Sequence, residues 1–197
     1  VPTGTRRGPG RRPGSPDTRG EILEAARREF AAQGYDRTSM RAVARAAGVD
    51  PALVHHYFAG KEELLLAAME VPFDPRTLLA SVLEGPREQI GDRLVRAVLA
   101  EWDHPERQPR LLALIRTAIA SEASSHLLRD GFLRLILDQI ASIPGIDDAS
   151  RRGNLVASQI VGLLMTRYVV GIEPLASTSP DEVAAAVGPT IQRYLFD

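Results

Sequence analysis

Four histidines, one tryptophan and no cysteine bound the chemistry open to this 197-residue chain. Without Cys there is no thiolate nucleophile, disulfide, thiol redox couple or sulfur-ligated metal. His104 and His126 stand alone in the sequence. His55 and His56 are adjacent, but neighbours on a helix diverge by about 100°, a poor geometry for sharing a metal. No nucleophile elbow or phosphate-binding glycine loop occurs. The expectation is no catalytic residue, no metal and no other cofactor. What His55, His56 and Tyr57 can do is donate hydrogen bonds; Lys61 adds a cation, and Thr38 and Ser39 add hydroxyls. Such donors hold phosphate oxygens. Pro51, Ala52 and Leu53 are small or apolar, so they permit close approach to base edges, and Ala52 or Leu53 can touch a thymine methyl.

These residues need elements that aim them. In SMRAVARAAGVDPALVHHYF, residues 39–58, Met40, Val43, Ala44 and Ala47 fall at i, i+3, i+4 and i+7, which predicts a helix capped by Thr38-Ser39 and ended by Gly48. Asp50 is a good N-cap and Pro51 a favoured first residue, so the next helix starts two residues after that glycine. Two helices joined so tightly are a helix-turn-helix, with Val49, Val54 and Phe58 turned inward. A helix over 18–33 precedes the pair, opened by Thr18 with Glu21 as a capping box and closed at Gly34. Further helices are predicted at 61–71, 75–83, 87–102, 105–121, 123–142, 148–171 and 180–196, with Pro189 expected to kink the last. No stretch alternates like a strand and no fixed-period repeat is visible. The fold class is all-α: a three-helix head with a helix-turn-helix, plus a larger helical bundle.

The net charge of −1 hides an asymmetry. Up to Glu63 there are eleven Arg/Lys against eight Asp/Glu, and after it thirteen against seventeen. Arg6, Arg7, Arg11, Arg12 and Arg19 fall in the first twenty residues, nine of which are Gly or Pro. That composition cannot offset its ordering entropy, so residues 1–16 are expected to form a disordered basic arm; Arg11 and Arg12 within it and Arg19 just after it are candidate DNA contacts. The bland alternative is a solubilising tail. No apolar run reaches the roughly 20 residues needed to cross a bilayer, and no signal peptide is read at the start, so a cytoplasmic protein without a membrane partner is expected.

Residues 18–69, TRGEILEAARREFAAQGYDRTSMRAVARAAGVDPALVHHYFAGKEELLLAAM, resemble the N-terminal DNA-binding domain of the TetR family of transcriptional repressors. The likeness runs over an aromatic in the first helix, Gly-Tyr before Thr-Ser, a Val-Ala pair, AGV, an aromatic-rich stretch ending in Phe, and K-E-x-L. It implies a DNA-binding head over 17–63, an effector-binding and dimerisation domain over 64–197, and a homodimer released from an inverted-repeat operator in double-stranded DNA by an unknown small-molecule effector. Carried over by position, base contacts fall around Pro51, Ala52 and His55, and phosphate contacts around Thr38, Ser39, His56, Tyr57 and Lys61. Asp50 stands where Ser or Thr is common and is assigned to capping. His55-His56-Tyr57 replaces the more usual Tyr-Tyr-His order, so the operator sequence does not transfer. The alternative is a helical small-molecule-binding protein or enzyme that kept the fold without specific DNA binding.

The second half is less specific. RRGNLVASQIVGLLMTRYVVG is apolar nearly all round, so it must be covered on two sides. By the resemblance, Leu155, Ile160, Leu164 and Tyr168, with Val183, Val187 and Ile191 of the last helix, form the dimer interface; buried helices read alike, so monomer core remains the alternative. Trp102, Arg116, Ile119, His126, Phe132 and Leu135 are the candidate lining of a mostly apolar effector pocket.

Overall fold

The computed structural model describes residues 17–120, 131, 133–143 and 145–197. Their regular elements are all helical: α1 (Thr18–Arg37), α2 (Met40–Ala47), α3 (Pro51–Tyr57), α4 (Lys61–Ala68), α5 (Pro75–Leu83), α6 (Ile90–Trp102), α7 (Gln108–Ala120), α8 (Leu133–Ala141), α9 (Ala149–Leu164) and α10 (Pro180–Phe196). A six-residue π-helical turn, Met165–Val170, continues α9. The expected arm over 1–16, with Arg11 and Arg12, lies outside the described residues.

Side-chain caps start most of the head. Asp17, rather than the Thr18–Glu21 box, opens α1 by accepting from the Gly20 amide. Gly34 sits at φ 76°, ψ 170° and breaks the helix as expected, yet one more turn follows to Arg37. Ser39 caps α2 by accepting from Ala42 N, and Asp50 caps α3 by accepting from Ala52 N at 2.8 Å. Between them Gly48 is left-handed at φ 68°, which sends the Val49 amide back to the Ala44 carbonyl. A β-carbon there would cost about 1 kcal/mol.

The head core gathers Ile22, Ala25, Ala26 and Phe30 of α1, Val43 and Ala44 of α2, Val54 of α3, Phe58, and Leu64, Leu65, Leu66 and Ala68 of α4. Burial of Phe58 and of Val54 stabilises by about 2 kcal/mol each. Helix α4 thus straddles the expected 63/64 boundary, packing its apolar face on α1. Arg27 reinforces that joint, donating to the Ala68 carbonyl and pairing with Glu70 at 2.6 Å.

In the second core, α6 and α10 pack backbone to backbone, flanked by α5, α8 and α9. A methyl on Gly188 would stand 2.8 Å from the Asp92 Cα, so only glycine permits this approach. Gln192 locks the pair: its Oε1 accepts from the Gly91 amide and its Nε2 donates to the Arg87 carbonyl, both at 2.8 Å. Helix α10 runs through Pro189, the position of the expected kink, as one helix. Pro189 is exposed, so the carbonyl it leaves without an amide partner is on the side open to water.

Candidate nucleic-acid interface and interior cavity

Helix α3 is anchored by one face and presents the other. Val54 and Phe58 are fully buried, while Pro51, Ala52, His55, His56 and Tyr57 are exposed, the Tyr57 ring 5.3 Å edge-on from the His56 ring. Small residues are exposed on the first turn and aromatic donors on the last, as expected, but Leu53, also expected on the outer face, is half-buried. Ser39 is exposed beside it at the start of α2; its Oγ accepts the Ala42 amide and its hydroxyl proton still has a direction free. Arg19 reaches the same end of the head, its guanidinium carbon 5.3 Å from the Phe58 ring centroid.

Two expected donors are otherwise engaged. Thr38 is a correction: it is 2% exposed and its hydroxyl donates to the Gly34 carbonyl at 2.8 Å, so it secures the α1–α2 corner and does not face a phosphate. Lys61 donates to the Tyr35 carbonyl at 2.9 Å and lies 4.1 Å from the Tyr35 ring centroid, fastening α4 to the end of α1. One of its three donor directions points at that carbonyl. Arg41 and Arg45 of α2 are exposed cations that the sequence reading passed over. Their i, i+4 spacing on a helix whose other face carries Val43 and Ala44 was the available signal.

A cavity of about 310 Å³ lies in the second unit between α5, α6, α7, α8 and α9. Trp102 is on its wall, as expected, with Phe73, Leu94, Ile115 and Met165. Trp102 also stacks on Tyr168 at 5.3 Å, and the Tyr168 hydroxyl donates to Asp103 at 2.8 Å. Burial first, then that carboxylate, pushes the Tyr168 hydroxyl well above its ordinary range. Other expected lining residues fall elsewhere. Arg116 is exposed on α7, and Leu135 packs into the head core. The Ile119 side chain, His126 and Phe132 lie outside what the structure describes.

The expected interface set divides. Val183 and Ile191 are 2% and 0% exposed and Leu164 is buried, all three inside this chain's own packing, while Ile160 is half-buried on the cavity wall. Tyr168 and Val187 are half-buried against the same core. Leu155 alone of the seven counts as an exposed large apolar residue, in company with Val161, Val170 and Ile172. Among the described residues no cluster of His, Cys, Asp and Glu could hold a metal, and no helix is long and apolar enough to cross a membrane.

Residues 22–68 match the family model of bacterial regulatory proteins of the TetR family, and residues 88–195 match that of the tetracyclin repressor-like C-terminal domain. The chain is 30% identical over 181 residues to the HTH-type transcriptional regulator BetI of Rhizobium meliloti (strain 1021), covering 86% of this chain and 89% of that protein. A solved TetR-family regulator from Streptomyces coelicolor A3 is 38% identical, with 95% of this chain and 99% of that one covered and a TM-score of 0.48. A second solved protein, a candidate transcriptional regulator from Streptomyces coelicolor A3(2), shares the fold at a TM-score of 0.51 and 20% identity, covering 92% of this chain and 100% of its own.

Proposed function

Because this chain belongs to the TetR family of transcriptional regulators, we propose that it is a repressor that grips an inverted-repeat operator as a homodimer and lets go when a small molecule fills the interior cavity. It is a DNA-binding regulator and not an enzyme. The observation that carries the operator reading is the division of α3 into a buried face, Val54 with Phe58, and an exposed one, Pro51, Ala52, His55, His56 and Tyr57. On this reading Pro51, Ala52 and His55 meet base edges, and Ser39, His56 and Tyr57 hold phosphates. Arg11, Arg12 and Arg19 add cations that an adjacent minor groove attracts. A seven-residue helix reaches few base pairs, and a two-fold axis that supplies a second copy one turn away doubles the contacts.

The cavity and the head share a wall. Val71, Phe73, Pro75 and Leu78 line the cavity, and within that segment Asp74 caps α5 and grips Arg76, whose Nη1 reaches Glu62 of α4 at 2.6 Å. An occupant that displaces 71–78 pulls α4 through this carboxylate and shifts the head with it. Fluorescence anisotropy with DNA from the protein's own upstream region tests the reading. Salt-sensitive binding confined to particular sequences supports it; equal binding to all sequences at every salt concentration overturns it.

A further inference from the structure

We propose that the effector is an amphipathic anion, with an apolar chain in the interior cavity and one anionic head in the cleft between α1 and α7, held by Arg28 and Arg110. This rests on the reading that the interior cavity is the effector site.

The cavity wall is built from aliphatic and aromatic carbon, the Trp102 indole and the Met165 thioether. A charge placed there would be desolvated with no counter-charge, which favours an apolar occupant. A second hollow, of about 610 Å³ and open to solvent, lies on the other side of α7. Leu114 and Ala118 belong to the walls of both. The two spaces are therefore neighbours across these two side chains, one of them a single methyl. A chain entering the inner cavity past Ala118 leaves its head in the outer cleft.

That cleft is cationic. Arg27, Arg28 and Arg110 line it against one carboxylate, Glu70. Arg27 is committed, to Glu24 and Glu70 at 2.6 Å each and to the Ala68 carbonyl at 2.7 Å. Arg28 and Arg110 are exposed, and among the described residues neither pairs with a carboxylate. They come from opposite parts of the molecule, Arg28 from the head and Arg110 from the first turn of α7, a turn that carries no acidic residue. Guanidinium groups bind carboxylate or phosphate oxygens through paired N–H donors. A head group bridging them would fasten α1 to α7, so the ligand would set the position of the DNA-binding unit directly as well as through the cavity wall.

Trp102 is the chain's one tryptophan and stands on the cavity wall, so its emission reports what enters. The experiment titrates the whole protein with dodecanoate, 1-dodecanol and dodecyltrimethylammonium, each below its micelle concentration. Dodecanoate is expected to change Trp102 emission at the lowest concentration. Arg28→Gln and Arg110→Gln are each expected to weaken dodecanoate about tenfold while leaving 1-dodecanol unchanged. Both residues are exposed, and equal melting temperatures for the variants check that folding is intact. If the alcohol or the ammonium binds as tightly as the carboxylate, or the variants bind dodecanoate like wild type, the anionic head site is overturned while the apolar effector cavity stands. If none of the three perturbs Trp102 although the protein still selects its operator, the proposal falls and the DNA-binding reading survives.

Discussion

Gly91 of α6 and Gly188 of α10 sit against each other's helices so closely that a methyl on either would overlap the opposing backbone. The contact is helix against helix, with Gln192 bonded across it to the Gly91 amide at 2.8 Å. Neither backbone can retreat without also moving Val95, Leu99, Ala184 and Ile191, all buried in the same core. Gly188→Ala is therefore expected to destabilise by about 2 kcal/mol or more, although alanine is the better helix former. Urea unfolding checks it: a midpoint equal to or above that of wild type would contradict a backbone contact.

The Tyr35 ring is half-buried, and its hydroxyl is pushed up to about 12, first by burial and then by the Glu62 carboxylate. Its folded pKa lies above the unfolded one, so the folded chain holds the proton longer. Stability from this group is full below about pH 10 and is lost as pH rises through about 12. Tyr168 shifts the same way for the same first cause. Urea midpoints are expected to fall between about pH 10 and about pH 12, and less steeply in Tyr35→Phe and in Tyr168→Phe. Identical slopes in both variants would remove these groups from the alkaline transition.

His55 and Tyr57 are assigned different tasks at the operator. His55→Ala is expected to change the ranking of operator variants, whereas Tyr57→Ala is expected to weaken operator and random DNA by similar factors. The salt slope of Tyr57→Ala should stay near that of wild type, because a neutral phenol releases no counterion; Arg45→Ala, which removes a cation, is expected to lower the slope by about one. All three side chains are exposed, so melting temperatures should move little. Anisotropy titrations at several salt concentrations separate the outcomes, and a Tyr57→Ala protein with altered sequence ranking would reverse the assignment.

The head was legible because its signals are local. Ser39, Gly48, Asp50 and Pro51 each perform a backbone task that few other residues do as well, and Val43, Ala44, Val54 and Phe58 repeat at helical spacing. Thr38 escaped because Ser and Thr at a helix start read alike, and only the fold says which hydroxyl meets the Gly34 carbonyl. The second unit was legible as helices and little more. Ile191 and Val161 are equally apolar in sequence, yet one is in the core and the other 45% exposed. Periodicity reports that a helix has an apolar face and not what covers it. Apart from Trp102 the cavity lining was missed for a related reason: it is drawn from five helices and the 71–73 link, and no sequence window contains it.

That same distinction makes the dimer testable. Leu155, Val161, Val170 and Ile172 are large apolar residues left exposed, and a two-fold partner that covers them would bury them against their own copies. Val161→Glu removes apolar surface from that contact and, on the reading that it is the interface, adds two like charges close together at the axis. The side chain is 45% exposed, so the new carboxylate can reach solvent, although Val161 also borders the interior cavity, and the folded subunit is expected to lose less than it does from a charge in the core. Ile191→Glu instead strands a carboxylate at a position with no exposure and is expected to cost several kcal/mol of stability in the subunit itself. Sedimentation equilibrium and thermal melting together decide: Val161→Glu should give a folded monomer with near wild-type helicity, and Ile191→Glu a protein that melts early. If Val161→Glu remains a dimer at micromolar concentration, the partner contacts another face of the molecule.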